Sequence, residues 1–275
     1  MSYATLLVHL ECGRRNERLL QVSRALAQQA NSRVVGVAAC RPLQVNYGDG
    51  FVTGDLLDSD RRELGRELEE AKAEFMAALE GHCAQLAWRP AVVYGALADH
   101  LAAEARCADL VVTGAGGSPL FNATRHADLG ELVLQAGRPV LVVPATPGPL
   151  LLERVLVAWK DTREARRAAL DGLPLLKKAS AVVVAEVAPE EELPAARARV
   201  AEVVSWLEWH GVKAEPLALV RSGEDSARLE GLAREWRADV LVAGAYGHSR
   251  LREWVLGGVT RDLLRAPGRC MLVSH

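Results

Sequence analysis

The sequence predicts an α/β protein built twice over, each copy a five-stranded parallel sheet with helices on both faces. Three observations predict it. Short runs rich in Val and Leu alternate with stretches of helical periodicity, the pattern of strands buried on both faces and joined by crossover helices. The chain also repeats itself: Ala108-Asp109-Leu110-Val111-Val112-Thr113-Gly114-Ala115-Gly116-Gly117 aligns with Ala238-Asp239-Val240-Leu241-Val242-Ala243-Gly244-Ala245-Tyr246-Gly247 at an offset of 130. Finally, 275 residues suffice for two domains at roughly 100 to 200 residues each.

In the first half the expected strands are TLLVHL (from Thr5), RVVGVAA (from Arg33), PAVVY (from Pro90), DLVVTGA (from Asp109) and PVLVVPA (from Pro139). Their counterparts are RVLVAW (from Arg154), AVVVAEV (from Ala181), AEPLALV (from Ala214), DVLVAGA (from Asp239) and RCMLVSH (from Arg269). Helices are expected over 14–30, 58–87 and 97–105, then over 163–176, 190–210 and 225–236. In the helix over 190–210, Trp206 and Trp209 read as an apolar face. The first strands match at an offset of 149, so the first half carries about 19 additional residues, assigned to the polar, Gly-containing loop 42–60. Pro144, Pro147, Gly148 and Pro149 mark a linker between domains 1–146 and 151–275.

Composition narrows the function classes. Hydrophobic residues are 50%, charged 25% and aromatic 5%, which excludes disordered and collagen-like chains. A net charge of −2 gives no general pull toward nucleic acid or anionic lipid, so neither is expected as a partner. No run approaches the roughly 18 apolar residues of a membrane span, and MSYATLLVHLE lacks the features of a signal peptide; a cytoplasmic protein is expected. The five cysteines are odd in number and free of any CxxC pair, and read as small, reduced core residues. His9, inside the first strand, reads as a core histidine.

An open parallel sheet binds ligands beyond the carboxyl ends of its strands, where the strand order reverses. After the fourth strand of the second half comes Gly244-Ala245-Tyr246-Gly247, then nine residues, then Gly257-Gly258-Val259-Thr260 opening a final helix. Glycines let the backbone approach an anion, free amides at a helix start bind phosphate oxygens, and Thr260 adds a hydroxyl. Taken alone, the glycines are equally compatible with simple chain turns.

The segment GAYGHSRLREWVLGGVTRDLL resembles the G-2x-G-9x-G-S/T nucleotide motif of the universal stress protein family, and the duplicated halves resemble a tandem protein of two such domains. The resemblance covers nearly the whole chain. It implies two Rossmann-like domains of the adenine nucleotide alpha hydrolase-like type, each a sheet of order 3-2-1-4-5, paired through their fifth strands as a pseudo-dimer, with further homodimerisation open. It also implies ATP as ligand, with Mg, held by Gly244, Gly247 and Gly257. Gly258 stands where the family has Ser or Thr, and Thr260 matches a second hydroxyl position. The family's acidic position after the first strand falls in Ala158-Trp159-Lys160-Asp161-Thr162. Lys160 occupies it, either drawing phosphate as a point charge or simply solvated. Asp161, one residue later, either caps the following helix, the favoured reading, or faces the ribose. The candidate cofactor-binding set is thus Ala158, Asp161, Gly244, Gly247, Gly257, Gly258, Val259 and Thr260.

The first half departs further. Gly114 and Gly117 are present, but nine residues later the chain reads Ala127-Asp128-Leu129-Gly130, placing a carboxylate where phosphate would sit. Glu11 keeps an acid after the first strand without the following Ser. No nucleotide is expected in this half. The absence of GxxxxGK, HExxH, GxSxG, CxxC and HxGH leaves ordinary enzyme chemistries without their parts, so any ATP hydrolysis is expected to be slow. The leading expectation is an ATP-binding universal stress protein acting as a stress regulator or survival factor. The alternatives are a scaffold that works through protein partners, and a weak ATPase.

Overall fold

The computed structural model describes residues 2–43, 54–115, 124–145, 150–245 and 268–275. Nine of the ten expected strand runs appear in place, and the third, expected over 90–94, begins five residues earlier: β1 Thr5–Leu10, β2 Arg33–Cys40, β3 Gln85–Val92, β4 Leu110–Gly114, β5 Val140–Val143, β6 Arg154–Trp159, β7 Ala181–Ala188, β8 Glu215–Val220, β9 Val240–Gly244 and β10 Cys270–Ser274. They form one sheet of order β3-β2-β1-β4-β5-β10-β9-β6-β7-β8, in which each half contributes a 3-2-1-4-5 set. Every neighbouring pair is parallel except β5 and β10, which meet antiparallel with Met271 facing Val142, Leu272 facing Leu141 and Val273 facing Val140. The two fifth strands therefore join the halves, as a pseudo-twofold arrangement requires.

Burial explains why these residues form the seam. Leu141, Val142, Leu272 and Val273 are fully buried, and burying such a side chain is worth roughly 1.5–3 kcal/mol over exposure. One polar contact crosses between the halves near the seam, the Tyr3 hydroxyl donating to the Asp171 carbonyl at 2.6 Å, and within the second half Ser274 Oγ donates to Asp171 Oδ2 at 3.0 Å. The outermost strands β3 and β8 contain Pro90 and Pro216, and a residue that cannot donate to a ladder is tolerated at a sheet edge.

Helices cover both faces: α1 Glu17–Ala30, α2 Gly54–Leu79, α3 Leu97–Glu104, α4 Leu129–Gln135, α5 Arg163–Leu176, α6 Leu193–Trp209 and α7 Asp225–Glu235. Alternate strand residues divide the core. Leu6, Val8 and Leu10 pack on one face with α1 and α2 residues such as Leu20 and Phe75; Leu7, Val35 and Val111 pack on the other with Leu101 and Leu132. Among the described residues no helix is long and apolar enough to cross a membrane.

Several boundaries differ from expectation. The helix expected over 58–87 ends at Leu79, because Gly81 takes a left-handed turn at φ 76 and an edge strand begins at Gln85. Its start lies earlier, so residues 54–60, read as loop, are helical; 44–53 lie outside the described residues. Helix α1 begins at Glu17 rather than at 14, since Gly13 sits at φ 72 and the Asn16 side chain bonds the Glu11 amide and the Arg14 carbonyl. Residues 190–192 form a 3₁₀ turn before α6. Trp206 packs against the core while Trp209 is 89% exposed, so the expected apolar face holds one of the two. Cys12, Cys40 and Cys270 are buried and free, Cys83 is half-buried, and Cys107 is exposed, against the core reading for that residue.

Candidate functional site

The strand order reverses twice, between β1 and β4 and between β6 and β9, and each reversal leaves a crevice at the carboxyl ends of the strands. In the second half, Ala158 pairs with Ala243, which sets Ala158 beside Gly244 at the sheet's end. Three residues, 160–162, connect β6 to α5, and this short link brings the first turn of α5 down onto β9. A Cβ on Gly244 would lie 2.4 Å from the Ala165 amide nitrogen and 2.5 Å from the Glu164 carbonyl carbon. The position therefore requires glycine for packing, before any ligand is considered.

Asp161 does not cap α5. Thr162 does: its extended backbone aims Oγ1 at the Ala165 amide, 3.3 Å away, three residues ahead in the usual capping relation. Asp161 is exposed and pairs with Arg166 at 2.5 Å. Lys160 and Arg163 are also exposed, and Arg163 pairs with Glu164. Beneath them Glu164 is buried. Burial would raise its carboxyl, but hydrogen bonds from Arg163, its own amide and Thr162 outweigh that and hold it below the usual carboxylate range. Among the described residues no group of three His, Cys, Asp or Glu could hold a metal.

Of the expected site residues, Ala158, Asp161 and Gly244 thus meet at one end of the sheet. Gly247, Gly257, Gly258, Val259 and Thr260 lie outside the described residues.

The first-half crevice is built differently. Six residues, 11–16, connect β1 to α1, and the longer link leaves a cavity of about 170 Å³ beside Gly114, lined among others by Glu11, Arg14, Asn16 and Val143. The nearest atom to a Cβ on Gly114 is Glu11 Oε1, at 3.7 Å. Glu11 is buried, accepts from Arg14 Nη1 at 3.0 Å, and lies 3.2 Å from His126 Nδ1, close enough to pair but out of line for a hydrogen bond. Asp128 caps α4, its Oδ1 accepting from the Glu131 amide at 3.0 Å. A side-chain carboxylate there occupies an amide that a phosphate would otherwise use.

Sequence reasoning missed the residues that close this half. Arg125 donates to Glu67 Oε2 at 2.5 Å and to the Arg41 carbonyl at 3.0 Å, tying the segment before α4 to α2 and the end of β2. These partners are far apart in the chain, so no local spacing announces them.

His9 is a core histidine, as expected: it is 1% exposed and its Nδ1 lies 2.9 Å from Thr113 Oγ1. Burial pushes its pKa from 6.5 down to about 4; Glu11 opposes that shift, while His126 and His100 reinforce it. Between those values the unfolded chain binds a proton that the folded one refuses, so stability falls with acidification. We expect a loss of roughly 3 kcal/mol on going from pH 7 to pH 4 from this residue, read from urea midpoints across that range, with His9→Gln flattening the profile. An unchanged profile in that variant would remove His9 as its source.

No protein-family model and no curated protein matches the chain. Solved structures do. A universal stress protein from Archaeoglobus fulgidus superposes with a TM-score of 0.73 at 14% identity, over 100% of this chain and 99% of that one. A Pseudomonas aeruginosa protein of unknown function gives 0.64 at 18%, over 99% of this chain and 92% of its own. Another from the same species, provisionally assigned as a universal stress protein, gives 0.62 at 19%, over 99% and 93%. Over its whole length the chain has the fold of these proteins.

Proposed function

We propose that the chain, having this fold, is a tandem universal stress protein, divided into domains 1–146 and 151–275, that binds an adenine nucleotide in its second half. The observation that carries this reading is the placement of Gly244: the first glycine of the G-2x-G-9x-G spacing ends β9 beside Ala158 at the fold's ligand crevice. Exposed Lys160 suits the phosphates of ATP, Asp161 stands one residue from the family's acidic position, and Mg²⁺ would arrive on the phosphates. In the first half, Asp128 on its helix start and Glu11 at the crevice disfavour an anion. The protein acts in the cytoplasm as a ligand-responsive regulator or survival factor, with hydrolysis slow and incidental.

A second reading, a scaffold with two decayed sites, draws on Gly244 itself, whose packing against α5 accounts for the glycine without a ligand. Paired substitutions separate the two. Gly247→Val is expected to abolish ATP binding in calorimetric titration while Gly117→Val leaves it intact, because a branched side chain obstructs the working loop alone. Equal effects from the two variants would sink the assignment to the second half.

A further inference from the structure

We propose that Cys12 and Cys40 form a reversible disulfide at the carboxyl ends of β1 and β2, a thiol switch on the first-half crevice. The sequence offers no CxxC pair; the fold builds the pair instead. Strands β1 and β2 run in register to Leu10 facing Ala38, and two residues further along each chain come Cys12 and Cys40. Both side chains lie in the same core cluster on the same sheet face, at 1% and 0% exposure, and both thiols are free. Cys12 Sγ is 4.0 Å from the carbonyl oxygen of Ala39, the residue before Cys40. Adjacent strands stand about 4.8 Å apart, inside the span of Cα separations that a disulfide bridges, and Cys12 lies two residues past the end of β1, in the turn that leads to α1.

The two sulfurs are unequal. Contact between them, the largest influence on each, pushes the Cys12 thiol up and the Cys40 thiol down; burial raises both, and the paired Arg125 and Glu67 act in opposite directions on each. Cys40 is therefore the nucleophile and Cys12 the resolving thiol. Glu11 and Gly13, the residues on either side of Cys12, line a groove of about 600 Å³, so the link that carries Cys12 borders solvent although the thiol itself is buried. With hydrogen peroxide as oxidant, the Cys40 thiolate attacks one peroxide oxygen, the O–O bond breaks, and a sulfenic acid forms with release of hydroxide. Cys12 sulfur then attacks the sulfenyl sulfur, the S–S bond forms, and water leaves with the Cys12 proton; the two sulfurs have given two electrons to the peroxide. A dithiol reverses the bond by exchange.

The bond would fasten the 11–16 link to β2. Glu11, which precedes Cys12, faces His126, Arg14 and Gly114, so the oxidation state would set the shape of the cavity beside Gly114.

The test uses the full chain, oxidised with hydrogen peroxide, then denatured and alkylated for intact-mass and peptide analysis. The expected result is that two of the five thiols resist alkylation, that the linked peptides carry Cys12 and Cys40, and that dithiothreitol restores both. In Cys12→Ser, dimedone is expected to trap a sulfenic acid on Cys40. Five alkylatable thiols after peroxide, protection confined to the exposed Cys107, or a disulfide joining other cysteines would overturn the proposal.

Discussion

Gly244→Ala is expected to destabilise the protein by about 3 kcal/mol or more, the upper part of the overpacking range, whereas Gly114→Ala changes stability by less than about 0.5 kcal/mol. The two glycines align in the sequence repeat and end equivalent strands. Their surroundings differ because the connection to the next helix is three residues in one half and six in the other. At position 244 a methyl group would meet main-chain atoms of Glu164 and Ala165, which move only if α5 moves. At position 114 it meets a carboxylate oxygen at 3.7 Å, an ordinary contact. Urea denaturation of the two variants reads the difference directly. Similar midpoints would mean that α5 does not rest on β9 as described.

Glu67→Ala is expected to cost about 3–5 kcal/mol, since it leaves the Arg125 guanidinium buried without its counter-charge. The two side chains are 10% and 9% exposed, and Arg125 also holds the Arg41 carbonyl, so the pair locks α2 to the segment leading into α4. By contrast Glu70→Ala, which removes an exposed partner of Arg66, is expected to leave the unfolding midpoint unchanged. A Glu67→Leu/Arg125→Met double variant should regain most of the loss, because packed apolar groups carry no charge to desolvate. Failure of the double variant to recover would show that Arg125 acts mainly through the Arg41 carbonyl.

Much of the fold was legible because buried parallel strands advertise themselves. VLVV and LVVTG have few alternatives to the sheet interior, and the repeat within the chain told which strands correspond. The misreadings fall where that signal weakens. β3, with Arg89 and Pro90 in QLAWRPAV, is an edge strand whose mixed polarity let the preceding helix appear to run through its start. The cap of α5 was assigned one residue early, to Asp161, because composition favours Asp and Thr alike at a cap while the backbone turn decides between them. Of the candidate site, the strand-end placement of Ala158 and Gly244 was readable from the strand pattern. Glu164, which touches Gly244 through its backbone, was not, since its role depends on the length of the link before it. Glu11 beside His126, and Cys12 and Cys40 in one core cluster, arise from strand order and packing, which spacing along one chain does not express.

The central claim, one nucleotide site per chain in the second half, is tested most directly by denaturing freshly purified protein, quantifying released nucleotide by chromatography, and titrating the emptied protein with ATP and Mg²⁺. About one adenine nucleotide released or bound per chain is predicted. No released nucleotide together with no binding at millimolar ATP would contradict it.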